Sequence, residues 1–127
     1  MLFPHVEDSF RPEDDNGFEI PQAVAAIKRN IRHLHHRILG EVLTDGHPEV
    51  EATYRLYLET WREGFAGVRN EQLPRELPGP CRVVRDFWGD MDLPEEERVV
   101  RDSMYVMRAW SAVVTYLLAD WRFLYHQ

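Results

Sequence analysis

Apolar residues recurring at three- and four-residue steps are the feature that most narrows what this chain can become. From Pro21 onward, Val24, Ile27, Ile31, Leu34, Ile38 and Val42 follow that spacing, which is the period of one face of an α-helix. Pro21 suits the first turn of such a helix, where its missing N–H leaves no bond unmade. The stop is expected in the stretch TDGHP, with Gly46 as the left-handed residue, so the first helix is predicted over about 21–44. Pro48 then opens a second helix over about 48–69, with Glu49 and Glu51 at the positive end of its dipole. Its stripe is Val50, Tyr54, Tyr57, Trp61, Phe65 and Val68.

Prolines and glycines between residues 70 and 93 break any long element there. Asp92 followed by Glu95 has the spacing of a capping box, and the glutamates after Pro94 load a first turn with negative charge. A third helix is therefore predicted over about 93–125. It carries two adjacent apolar rows, one through Val100, Met104, Met107, Val114, Leu118 and Trp121, the other through Val106, Trp110, Val113 and Leu117. Together they are wider than one partner helix covers. At about 1.5 Å per residue this helix would be roughly 50 Å long, against nearer 35 Å for the first two. Its excess face needs a cover: the proline-rich connection, the N-terminal arm or a second chain.

Residues 1–20 have two prolines, a glycine, an acidic run and no helical or strand period, so they read as an irregular acidic arm. Leu2, Phe3, Phe10 and Phe18 are too many apolar groups for a purely solvated tail, and the arm is expected to pack across the domain or a partner. The predicted fold is all-α, a single helical domain over 21–127 in which the first two helices form an antiparallel hairpin against the third.

Several functions are disfavoured by composition. The chain has 127 residues and a formal charge of −7, so it repels nucleic acid as a whole and any anion binding must be local. Its one cysteine, Cys81, allows no internal disulfide and no CxxC motif, which points to a reducing, cytoplasmic setting and a structural thiol. The opening MLFPHVEDSF lacks the basic-then-apolar pattern of a secretory signal. The longest apolar stretch, AWSAVVTYLLA, is well short of the roughly 20 residues of a membrane span. HExxH, Glu-x-x-His, GxSxG, P-loop and GxGxxG motifs are absent, so no enzyme chemistry is specified.

What remains is NIRHLHHRILGE, residues 30–41. On a helix His35 shares the side of Ile31 and Ile38 and is expected to be a hydrogen-bonded core histidine. Arg29, Arg32, His33 and His36 stand at i, i+3, i+4 and i+7, a single basic row on the outer face. Such a row is either a solvated face or a docking stripe for an acidic partner segment or anionic ligand. His33 and His36 are also spaced to reach one metal ion, but two imidazoles need further ligands, and Glu41 on a continued helix would face elsewhere. The leading expectation is a non-enzymatic, cofactor-free interaction or assembly module, a homo-oligomer or a subunit docked on a protein partner. Trp110, Leu117, Leu118 and Trp121 would supply its apolar contact and the basic row its electrostatic one. The alternative is a helical bundle that binds a transition metal or haem through His33, His35 or His36.

Overall fold

The computed structural model describes residues 2–6, 10–78, 82, 85–86, 91–95 and 100–120. Its architecture is an all-α bundle of three helices: α1 (Pro21–Leu34), α2 (Pro48–Arg69) and α3 (Val106–Leu118). A minimal antiparallel pair, β1 (Arg85–Asp86) and β2 (Met91–Asp92), lies in the connection, with Arg85 opposite Asp92. None of the helices is long and apolar enough to cross a membrane.

Helix α1 begins at Pro21 as expected but does not reach residue 44. After Leu34 the coil widens into one π-helical turn, His35–Leu39, and ends at Gly40, whose φ of 70° is left-handed. Gly40 N–H donates to the His36 carbonyl at 3.0 Å and Glu41 N–H to that of His35 at 3.3 Å, closing the last turn. Glycine enters this conformation without the steric penalty of a Cβ. The apolar period that suggested a longer helix overshoots: Ile27, Ile31 and Leu34 are fully buried, whereas Val42 is 86% exposed. Gly46 also has a positive φ, but in the loop that follows.

Helix α2 has the predicted bounds. His47 caps it, its Nδ1 accepting from Glu49 N–H at 3.1 Å. Val50, Tyr54, Tyr57 and Trp61 face inward and meet Ile27, Ile31 and Leu34 of α1 on one side and Val106, Ala109, Trp110, Val113 and Leu117 of α3 on the other. The rings of Tyr57 and Trp110 lie 4.7 Å apart at the centre of this core, and Trp61 Nε1 donates to the Met104 carbonyl at 2.9 Å. Gly64 is where α2 admits the chain before α3, since a Cβ there would sit 2.2 Å from the Tyr105 ring.

The long third helix is corrected. Met91 and Asp92 belong to β2, and residues 100–102 are extended against residues 75–77: Leu77 N–H donates to the Val100 carbonyl at 2.8 Å and Asp102 N–H to that of Arg75 at 2.7 Å. The chain then turns through Tyr105, at φ 62°, into α3. The acid that caps α3 is Asp102. Its buried carboxylate accepts from the N–H groups of Met107 (3.0 Å) and Arg108 (2.9 Å) and from Arg108 Nε (3.1 Å). At 13 residues α3 is about 20 Å long, and its apolar rows are mostly consumed inside the domain. The expectations for Cys81 and Trp121 lie outside the described residues.

The arm does pack across the domain. Phe3 stands 5.5 Å from the Trp110 ring, and buried Asn30 of α1 donates to the Leu2 carbonyl at 3.2 Å while accepting from His5 N–H at 3.4 Å. Glu13 makes a bidentate pair with Arg62 of α2, both bonds 2.8 Å. Phe18 departs from the expectation and is exposed.

Two outcomes follow. Asp102→Ala strips α3 of its cap and leaves the buried guanidinium side of Arg108 without its carboxylate, so urea unfolding should register a loss of roughly 3 kcal/mol. The Arg62 guanidinium holds the Glu13 carboxyl below the usual carboxylate range. A lowered folded value means that this pair stabilises the fold above the unfolded-state value of about 4.3 and is lost as the pH falls through the folded one. Arg62 is half exposed, so the contribution is modest. Unfolding midpoints followed from neutral pH to pH 3 should fall less steeply for Glu13→Gln than for the parent chain.

Candidate functional site

The π turn and the reversal at Gly40 shape the surface around the histidine cluster. Arg29, Arg32, His33 and His36, the row predicted on the outer face of the first helix, line one cleft of about 320 Å³ together with His5 from the arm and Glu41, Val42 and Leu43 from the returning loop. Arg29 and His36 are exposed, while Arg32 and His33 are half-buried. Arg32 has a structural task as well: its Nε donates to the Leu43 carbonyl and its guanidinium to Asp45 Oδ1, both at 2.8 Å, tying the loop to α1. The rings of His5 and His33 meet edge to face with centroids 5.9 Å apart. Among the described residues the cleft is thus a concentration of basic side chains with Glu41 beside them, on a chain whose net charge is −7.

Glu41 joins this cleft to a second arrangement. His35 is 2% exposed, as its register with Ile31 and Ile38 predicts, and both ring nitrogens are engaged. Nδ1 faces Glu41 Oε1 at 3.2 Å and Nε2 faces the hydroxyl of buried Thr53 on α2 at 2.9 Å. Glu49, in the first turn of α2, completes the group: one ligand-type atom from each of His35, Glu41 and Glu49 lies within 4.8 Å of the others. Among the described residues this is the group with metal-ligand character, and it shares neither His33 nor His36 with the pair that sequence spacing suggested. A haem could take an axial bond from His35 only by displacing Glu41 or Thr53.

The remaining predicted contact residues divide. Trp110 and Leu117 are committed to the core, at 4% and 0% exposure, and Leu118 is exposed, beside Tyr116. Sequence reasoning missed His5, which has no periodic context, and it misplaced Glu41 by continuing the helix through Gly40. Glu49 and Thr53 carried a usable signal, since their i, i+4 spacing puts both on one face of α2.

No known protein family, curated protein or solved structure matches the chain.

Proposed function

We propose that the chain is a non-enzymatic helical interaction module, and that its basic cleft receives a carboxylate-rich segment of a partner protein. One observation carries this reading: side chains distant in sequence, His5 of the arm and the α1 row Arg29, Arg32, His33 and His36, converge on one concave surface. A solvated face has no need of that convergence. Arg29 supplies permanent charge and a planar donor fork suited to carboxylates, while Arg32, paired with Asp45, frames the cleft. Three histidines add ring N–H donors, and Val42 and Leu43 give the cleft an apolar border. The net negative charge elsewhere keeps anionic polymers off the rest of the surface. A flanking apolar contact is available at Tyr116 and Leu118 of α3, since Trp110 and Leu117 already serve the core.

Binding of a fluorescent peptide of alternating Glu and Ala, followed by anisotropy, tests the assignment. Affinity should fall as salt is raised from about 0.05 to about 0.5 M, and drop about tenfold or more in a variant combining Arg29→Ala and His36→Ala. Equal affinity in parent and variant would sink the cleft assignment. Light scattering on the same samples covers self-association: an oligomer dispersed by Leu118→Glu would place a second copy, instead of a foreign partner, on α3.

A further inference from the structure

We infer that His35, Glu41 and Glu49 bind a divalent first-row transition cation of the zinc class, with Thr53 as a positioning residue that holds the imidazole for it. Two carboxylates and an imidazole nitrogen present ligand atoms within 4.8 Å of one another, the imidazole almost wholly buried and both carboxylates half-buried.

Geometry adds to this. Two ligand atoms each about 2.1 Å from a tetrahedral ion stand roughly 3.4 Å apart. His35 Nδ1 and Glu41 Oε1, at 3.2 Å, are already close to that spacing. Glu49, in the first turn of α2, brings the third ligand atom within 4.8 Å of the other two. The donor set of one imidazole nitrogen and two carboxylate oxygens suits a borderline ion better than a soft one such as Cu(I), which favours sulfur. Three protein ligands leave a position for water or another ligand, as in open zinc sites.

The supporting hydrogen bond is also in place. A histidine that ligates a metal through one nitrogen commonly donates the other N–H to an oxygen acceptor, which fixes ring and tautomer. Here Nε2–H can donate to Thr53 Oγ1 at 2.9 Å, which turns the Nδ1 lone pair toward Glu41. The cation then sits between Nδ1 and the Glu41 carboxylate. The π turn belongs to the same construction. It begins at His35, and the reversal it leads to returns Glu41 to a histidine six residues earlier. Single π turns inside α-helices are frequent at functional positions.

Zinc affinity of the full chain, stripped with a chelator and carrying no histidine tag, is measured by competition with a chromophoric chelator. The expected result is one ion per chain, a rise in melting temperature on adding zinc, and proton release seen as a buffer-dependent heat of binding. Glu41→Gln and Glu49→Gln keep side-chain shape and should each weaken binding about tenfold or more, with His33→Ala plus His36→Ala leaving it unchanged. Thr53→Val should weaken it about tenfold and Thr53→Ser restore it, a contrast that loss of packing alone does not give. Zinc held equally by both glutamine variants, or released by the His33 and His36 changes instead, would overturn the site.

Discussion

Everything around the histidine cluster depends on one backbone reversal. The α1 coil loosens to a π turn at His35 and stops at Gly40 because the chain there enters a left-handed conformation that disfavours side chains with a Cβ by roughly 1–2 kcal/mol. From that point the loop runs back along α1, buries Leu43 in the core and brings Pro48 to the start of α2. Arg32 secures the reversal from the helix side, bonding to Leu43 and Asp45. Were α1 to continue through residue 44, Glu41 would leave His35 and the cleft would lose its floor. The same few residues therefore set the α1–α2 hairpin and the chemistry above it.

Helix α2 is the member that both other helices need. It is the only described helix packed along α1 and α3 at once, and its Tyr57 and Trp61 fill the space between them. This is why its ends were legible: a long stripe bounded by Pro48 and by glycines near its close carries both its own period and the demand for two neighbours. For α1 the period alone was not enough. Ile38 and Val42 continue the spacing, but burial is decided by where the backbone goes, and the termination signal at Gly40 outweighs one further apolar residue. The third helix failed for a different reason. Val100 and Met104 fall into helical register by coincidence, while their segment is claimed by backbone pairing with residues 75–77, a partner more than twenty positions away in the chain. Asp92 and Glu95 have the spacing of a cap, yet the carboxylate that meets free N–H groups is Asp102, and only the tertiary path tells the two apart.

The candidate site was half visible in the same way. A row at i, i+3, i+4 and i+7 is a property of one helix, so Arg29, Arg32, His33 and His36 could be grouped without knowing the fold. His5, Glu41, Glu49 and Thr53 join them through the arm, the reversal and the hairpin, none of which is a local pattern. Among the described residues of the third helix, Val106–Leu118, α2 and the arm's Phe3 account for the Trp110 face, while Tyr116 and Leu118 are exposed.

Glu41 stands in both proposed sites, lining the cleft and facing His35, and this ties them energetically. Its carboxylate lies among the cleft's basic side chains and so opposes an acidic ligand there. A divalent cation held by His35, Glu41 and Glu49 would neutralise that charge and add positive potential beside the cleft. The acidic peptide should then bind more tightly with zinc present. Linkage makes the effect reciprocal, so zinc should be held more tightly by the same factor when the peptide is bound. Measuring zinc affinity with and without peptide isolates this contribution: coupling that disappears in Glu41→Gln identifies that carboxylate as the shared element.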